Sequence, residues 1–378
     1  MRLLIAGGGT GGHLFPGIAV AEEFLARDPA NELLFVGTDR GVEARVLPKL
    51  GYRLECIAAA GIRGKGTLSR VKGIGMLLYA YSQSRQILRS FRPDLVLGVG
   101  GYASGPAVLA ARGLQIPRFV HEQNAIPGMT NKLLARVAGQ VFISLEESAK
   151  YFPKDKVLLT GNPLRRQILE QVARHGEGLE PRTSNLEPAF HLFVFGGSLG
   201  AHAINEAMAA AAPLLAKWRG RLAITHQTGD KDQDEVARAY RDAGLDAEVV
   251  TFIDDMAAAY HRADLVVCRA GATTIAEVTA CGKPCIFIPF PHAVDDHQRR
   301  NAEALLKKGA CFMLLERELS GESLATTVDA LLREPGKLAE TGSNARSLAR
   351  LDAAKVIVDE MMKAGTGHQA LRNLVPGA

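Results

Sequence analysis

The sequence predicts an α/β protein of two tandem units, each a parallel sheet wrapped by helices. Three observations carry that expectation. Short apolar runs alternate with segments of helical spacing along most of the chain. Three of those runs end in glycine-rich loops that lead straight into a helix, at 7–12, 100–105 and 196–200. The pattern then restarts at His191, after a stretch over His175–Pro188 that holds Gly, Pro, Ser and Asn and reads as linker. A length of 378 residues suits two domains at ~100–200 residues each.

Composition narrows the class. Apolar residues at 47% and charged residues at 22% describe an ordinary globular protein. No apolar run approaches the ~18 residues needed to span a bilayer, and the chain opens on a strand, so neither signal peptide nor anchor is expected. Five sparse cysteines point to reduced thiols. Net charge is only +5 and aromatics are 6%, which leaves no platform for stacking bases, so nucleic acid is not an expected partner.

The first element is the strand Arg2–Ala6, followed by Gly7-Gly8-Gly9-Thr10-Gly11-Gly12-His13 and a helix from Leu14 to Leu25. Backbone N–H groups and the positive end of the helix make this loop an anion site, most naturally for phosphate. Gly7, Gly9 and Gly12 satisfy G-x-G-x-x-G, the dinucleotide fingerprint, and Asp39 follows the next strand somewhat beyond the usual ~20 residues. His13 at the mouth has no place in that fingerprint. The loop alone leaves nucleotide and other phosphates open.

Next come the strand Leu33–Val36, a helix over Val42–Leu50 and a strand over Arg53–Ala58. The segment from Gly61 to Tyr81 mixes Arg63, Lys65, Arg70 and Lys72 with Ile74, Leu77, Leu78 and Tyr79. Such a mixture suits an interfacial helix on an anionic membrane, or a helix packed on the sheet with its basic residues solvated. The strand Pro93–Val99 enters the second loop, Gly100-Gly101-Tyr102-Ala103-Ser104-Gly105-Pro106, ahead of a helix over Ala107–Arg112. Ligands of open α/β sheets bind at the carboxyl ends of strands, so both loops are expected to serve one large or doubly phosphorylated ligand. The polar cluster His121-Glu122-Gln123-Asn124 follows the strand Pro117–Val120, and strands at Gly139–Ile143 and Lys156–Leu159 close the half before Gly161-Asn162-Pro163.

The second half repeats the architecture: strand His191–Phe195, loop Gly196–Ala201 and helix His202–Leu215. Strands follow at Leu222–Thr225, Ala247–Phe252, Leu265–Cys268 and Pro284–Ile288, with Asp254 and Asp255 capping a helix over Met256–Arg262. After Cys268, a helix starting near Ala272 would offer its free N–H groups and the hydroxyls of Thr273 and Thr274 to a diphosphate. Glu277, at i+4 from Thr273 and i+3 from Thr274, shares their face and could accept both hydroxyls of a ribose. Asp295, Asp296 and His297 lack a rigid metal-ligand spacing and are read as a helix cap, with Gln298 available to a sugar hydroxyl. The last helix is expected over Asn344–Lys363, with a disordered tail from Gly365.

Taken together, Gly8–His13, Gly100–Pro106, His121–Asn124, Gly161–Pro163, Gly196–Ser198 and Ala272–Glu277 resemble the MurG family of glycosyltransferases, in order, from about residue 2 to about residue 360. Members are UDP-N-acetylglucosamine:N-acetylmuramyl-pentapeptide-pyrophosphoryl-undecaprenol N-acetylglucosamine transferases of bacterial cell-wall (peptidoglycan) synthesis. Two positions depart from the family pattern: Leu199 and His202 stand where Gln and Arg are usual.

The resemblance implies a GT-B fold, with two Rossmann-like parallel-sheet domains facing a cleft and a C-terminal helix crossing back to the first. It divides the chain into an acceptor- and membrane-binding domain at 1–163, a UDP-GlcNAc-binding domain at 164–343, the returning helix at 344–364 and a tail at 365–378. It implies donor contacts from Thr10, Gly11, Gly12, Asn124, Arg165, Ser198, Ile253, Ala272, Thr273, Thr274, Ile275, Ala276, Glu277 and Gln298. Gly9, Gly100, Gly101, Tyr102, Ser104 and Gly105 would face the acceptor's pyrophosphate. The segment with Arg70, Lys72, Ile74, Leu77, Leu78 and Tyr79 would dock on the cytoplasmic face of the cell membrane.

The reaction expected is inverting transfer of GlcNAc from UDP-GlcNAc to the 4-hydroxyl of lipid-linked MurNAc-pentapeptide (lipid I), giving lipid II and UDP. His13 is the candidate catalytic base, because an imidazole titrates near working pH and a helix N-terminus favours its neutral form. No Asp-x-Asp metal clamp appears where the donor site would need one, so neither an obligatory metal nor any other cofactor is expected. A nicotinamide-dependent oxidoreductase would leave the second loop and the Ala272–Glu277 block idle. A non-catalytic nucleotide-sugar-binding protein would give His13 no task.

Overall fold

A computed structural model of the chain describes residues 1–59, 67–175, 190–197 and 200–374. The linker expected over His175–Pro188 lies, from 176 onward, outside the described residues, as do Ser198 and Leu199. The chain divides into two compact units, residues 1–165 with 350–378, and residues 166–349.

The first unit contains β1 (Arg2–Ala6), α1 (Gly11–Arg27), β2 (Glu32–Gly37), α2 (Glu43–Val46), β3 (Leu54–Cys56), α3 (Thr67–Phe91), β4 (Leu95–Gly98) and α4 (Ser104–Gly113). It continues through β5 (Arg118–Glu122), α5 (Met129–Leu134), β6 (Gln140–Ile143) and β7 (Val157–Leu159). Its seven strands are all parallel, in the order β3-β2-β1-β4-β5-β6-β7. Strands such as Leu3–Ala6 and Leu95–Leu97 are fully buried, which is why they read as unbroken apolar runs instead of alternating ones.

The second unit contains α6 (Arg166–His175), β8 (Phe190–Phe195), α7 (His202–Leu215), β9 (Leu222–Gln227), α8 (Gln233–Ala243), β10 (Asp246–Val250), α9 (Met256–Arg262) and β11 (Leu265–Cys268). It closes with α10 (Ala272–Ala280), β12 (Cys285–Phe287), α11 (His297–Leu306), β13 (Phe312–Met313), α12 (Gly321–Arg333) and α13 (Pro335–Ser347). Six parallel strands run β10-β9-β8-β11-β12-β13. Helices α7 and α12 pack together over one core cluster that includes Ile204, Met208, Leu324 and Val328.

Four expectations need correction. The helix over Val42–Leu50 is broken into α2 and a single tight turn at Pro48–Leu50, because Pro48 has no N–H to continue the ladder. The strand expected to end at Val120 runs on through His121 and Glu122, which pair with Phe142 and Ile143 of β6.

The single helix expected over Asn344–Lys363 is two. Helix α13 ends at Ser347 in the second unit, and α14 (Ala353–Leu374) belongs to the first. Ile357, Val358 and Met361 of α14 are fully buried among Leu3, Ile5, Leu95 and Leu97, each contributing about 1.5–3 kcal/mol of transfer free energy. Gly365 opens no disordered tail. It is buried inside α14, where a Cβ would overlap Met1 and lie 3.0 Å from Leu95, and the helix continues to Leu374.

Candidate active site

In the first sheet the strand order reverses between β1 and β4, the position where open α/β sheets bind ligands. The first two glycine loops leave the sheet there and interlock. The Gly8 N–H donates to the Gly100 carbonyl at 3.3 Å. Gly101, at φ +79°, lies so close to Gly8 that a side chain at 101 would overlap the Gly8 carbonyl. Thr10 precedes α1 without a side-chain cap, and no acidic residue sits in the first turn. The amides of Gly11 and Gly12 therefore open the helix with no intrahelical acceptor, and the positive helix end stands behind them.

His13 lies on that first turn, half-buried. Its ring is seated against Gly100, where an added Cβ would come within 2.7 Å of Nδ1. Nδ1 is 3.0 Å from Oε1 of Gln123. Arg165 places its guanidinium over the Phe15 ring, two residues along the same helix, at 5.4 Å.

Behind this surface, the end of β5 and the residue after it supply three buried polar side chains, His121, Glu122 and Gln123. Glu122 accepts from the Asn124 N–H at 2.9 Å and from Asn131 Nδ2 at 2.9 Å, which fixes the loop that presents Asn124. Burial pushes the His121 pKa down to about 4 against an opposing hydrogen bond to Gly161, with a smaller lowering from the charge of nearby His13. His121 is therefore neutral at neutral pH.

The acceptor contact expected of Gly9 is not available through its N–H. That donor is taken at 2.6 Å by Oε2 of Glu43, a buried side chain whose Oε1 also accepts from the Thr38 N–H at 3.0 Å and hydroxyl at 2.9 Å. Added side chains at Gly8, Gly37 or Gly41 would overlap the same carboxylate. Of the other acceptor candidates, Gly105 sits in the first turn of α4 and Tyr102 is exposed. Ser104 is fully buried, its hydroxyl close to Gly98 and without a hydrogen-bond partner among the described residues.

The second sheet reverses between β8 and β11. Helix α10 starts there behind Gly271, uncapped by any side chain. The Thr273 hydroxyl is buried and has no hydrogen-bond partner among the described residues. Ala272 and Ile275 are buried and Ala276 is half-buried, so this turn offers a ligand backbone amides and the two threonines. Glu277 is buried too, and Oε2 accepts from the Tyr260 hydroxyl at 3.3 Å, so the carboxylate is already oriented on one side. Ile253 is half-buried just before α9, which Asp255 caps by accepting from the Ala258 N–H at 2.9 Å.

Gln298 does not extend freely from its helix: Oε1 accepts from the Phe290 N–H at 3.0 Å, which leaves the amide nitrogen for a ligand. The cap expected from Asp295 and Asp296 is absent. Both residues take left-handed backbone at φ +53° and +54°, Asp296 makes no side-chain cap bond, and its carboxylate lies 3.8 Å from Arg299. His202 bonds through Nδ1 to Asp232 at 3.0 Å, and that hydrogen bond raises its pKa above the ordinary imidazole value. The side chains of Arg70, Lys72 and Ile74 and all of Ser198 lie outside the described residues.

Residues 3–143 match the N-terminal domain of glycosyltransferase family 28, and residues 191–358 match its C-terminal domain. The chain belongs to glycosyltransferase family 28. A relative from Geobacter metallireducens, named UDP-N-acetylglucosamine--N-acetylmuramyl-(pentapeptide) pyrophosphoryl-undecaprenol N-acetylglucosamine transferase, is 69% identical over 362 residues, covering 96% of this chain and 98% of the relative. A Geobacter sulfurreducens protein of the same name is 68% identical at the same coverage. The crystal structure of Acinetobacter baumannii MurG superposes with a TM-score of 0.77 at 33% identity, covering 96% of this chain and 99% of that one.

Family 28 membership makes this chain a UDP-sugar-dependent glycosyltransferase of the two-unit GT-B fold and removes the oxidoreductase reading. The structure shows why the fingerprint match misleads. Asp39 is exposed beside Arg40 at 3.9 Å, and the carboxylate that does reach the first loop, Glu43, holds its backbone from behind. Glu43 is a support that the sequence did not single out, and Glu122 and Gln123 were named only within the polar cluster at 121–124, without a role of their own. The one signal for Glu43 was the set of glycines at 8, 37 and 41 that make room for it.

Proposed function

We propose that the chain moves GlcNAc from UDP-GlcNAc to the 4-hydroxyl of undecaprenyl-pyrophosphoryl-MurNAc-pentapeptide, releasing UDP. The first turn of α10 carries this reading: a buried, unpartnered threonine hydroxyl beside free helix amides, with a carboxylate one turn above. A buried hydroxyl without a partner is costly, and a diphosphate oxygen would satisfy it. Thr273 and Thr274 would hold the diphosphate and Glu277 the ribose, with Ile253 on the uracil and Gln298 on the sugar.

The first unit would take the acceptor at its interlocked glycine loops, and the second unit the donor. In a direct displacement the acceptor oxygen forms its bond to C1 of GlcNAc as the C1–O bond to UDP breaks, and the electron pair leaves with UDP. The hydroxyl proton passes to His13. Helix dipole, loop amides and the two threonines stabilise the departing diphosphate. No cofactor is invoked.

Glu277→Ala is expected to raise KM for UDP-GlcNAc by about tenfold, the loss of one or two charge-assisted hydrogen bonds, with a smaller change in kcat. Steady-state kinetics check this, and an unchanged KM would remove Glu277 from the ribose.

For the acceptor's lipid we propose docking of α3 on the anionic inner face of the cell membrane. Among the described residues no helix is long and apolar enough to cross a bilayer. Helix α3 instead exposes Met76, Leu77, Leu78 and Tyr79 in succession, with Leu78 64% and Tyr79 60% exposed. Sedimentation with vesicles containing phosphatidylglycerol should show several-fold weaker binding for the Leu78→Ser, Tyr79→Ser double variant. Equal binding would remove this face from the membrane.

A further inference from the structure

Gln123 sits between two histidines and one backbone carbonyl, and that arrangement fixes where every proton lies. Its Nε2 is 2.9 Å from the Val99 carbonyl oxygen and 3.0 Å from Nδ1 of His121, while Oε1 is 3.0 Å from Nδ1 of His13. A backbone carbonyl only accepts. The amide nitrogen must therefore face Val99, because the flipped amide would set two acceptors 2.9 Å apart. Oε1 then faces His13, whose Nδ1 has to donate.

The other N–H of Gln123 goes to His121, which is buried and neutral, so its Nδ1 accepts and its own proton sits on Nε2. That nitrogen faces the Gly161 carbonyl at 3.4 Å and the Ser144 hydroxyl at 3.2 Å. Two backbone carbonyls, Val99 and Gly161, thus set the hydrogen-bond direction of three side chains.

We propose that Gln123 is a positioning residue that locks neutral His13 as its Nδ1–H tautomer, leaving the Nε2 lone pair to take the acceptor hydroxyl's proton. This rests on His13 being the base. An amide oxygen carries no charge, so it selects the tautomer without the ion pairing that a carboxylate partner would give a protonated ring. It also cannot carry the proton away. The proton gained at Nε2 stays on the ring until UDP has left, then returns to solvent. Gly100 makes room for the ring in this position, since a side chain there would overlap it.

The test reads the tautomer directly. In histidine-labelled full-length protein, 15N shifts assigned by difference against His13→Asn should show His13 protonated on Nδ1 near neutral pH. Gln123→Met should lose that preference and lower kcat by about tenfold to a thousandfold, within the range lost when a catalytic imidazole is left in the wrong tautomer, with KM for UDP-GlcNAc within twofold. Gln123→Glu keeps an acceptor for Nδ1, so it should recover part of kcat and move the acid limb of the kcat–pH profile to higher pH.

Neutral His13 protonated on Nε2 in the unsubstituted protein would overturn the proposal, even if Gln123→Met does not fold. Unchanged kcat and unchanged His13 shifts in Gln123→Met would do the same. A Nδ1–H tautomer combined with full activity of His13→Ala would instead sink the base and leave the lock standing.

Discussion

Replacing His13 with alanine is expected to lower kcat by about 10²- to 10⁴-fold, the range for loss of a positioned general base. KM for UDP-GlcNAc should stay within about twofold, since the donor contacts proposed in the second unit do not involve this ring. The asymmetry follows from placement. The imidazole stands on the first turn of α1, beside the amides of Gly11 and Gly12 and against Gly100. A ring there would act on the acceptor proposed to bind at those loops. Steady-state kinetics with a lipid I analogue, varying each substrate, separate the two parameters. Unchanged kcat would take His13 out of the chemistry, and an equal rise in both KM values would recast it as a substrate-orienting residue.

What the sequence discloses of this site is what short-range pattern encodes. Strand, glycine loop and helix start lie within about a dozen residues at Arg2–His13, and the same holds for Leu95–Gly105 and Leu265–Glu277. Both parallel sheets and these three strand–loop–helix turns were legible for that reason. Supports that act across the fold were not. Glu43 reaches Gly9 over 34 residues and Gln123 reaches His13 over 110, and nothing local marks either as a partner.

Apolar spacing misled where it crossed a break. Leu348 and Leu351 continue the rhythm of Ile357 and Met361, yet they lie on or beyond the end of α13, in the turn where the chain passes from one unit to the other. Arg350, in that turn, packs against Gly161, a contact invisible at the level of periodicity. Helix α8 went unread because its apolar positions Val236, Tyr240 and Ala243 are few among charges, and β13 because two residues carry no period at all.

Both units should also lose stability together on mild acidification, each through one buried neutral imidazole. His226 is fully buried. Its Nδ1 lies 2.8 Å from the Tyr240 hydroxyl and its Nε2 3.1 Å from Oδ1 of Asn205. Burial holds the Tyr240 hydroxyl protonated, so that O–H donates to Nδ1, and Nε2 donates to Asn205. Both nitrogens are satisfied only while the ring is neutral, and burial drives the His226 pKa down to about 3. His121, at about 4, is the counterpart in the first unit.

The sign follows from which state binds the proton. The unfolded chain protonates these rings near pH 6.5, the folded chain only near 4 and 3, so stability is complete above about pH 6.5 and falls as pH drops below it. Between pH 7 and 5 each ring should remove about 2 kcal/mol, a large share of the ~5–15 kcal/mol that holds a domain. Urea unfolding at the two pH values measures this. The only tryptophan, Trp218, is buried in the second unit's core, so its fluorescence follows the unit that contains His226. His226→Gln should flatten the pH dependence of that signal while lowering stability at pH 7. Followed by far-UV circular dichroism, which reports both units, a urea midpoint unchanged between pH 7 and 5 would mean the two rings are not buried as neutral imidazoles. In that case His121 would lose its place as the acceptor that orients Gln123 beneath His13.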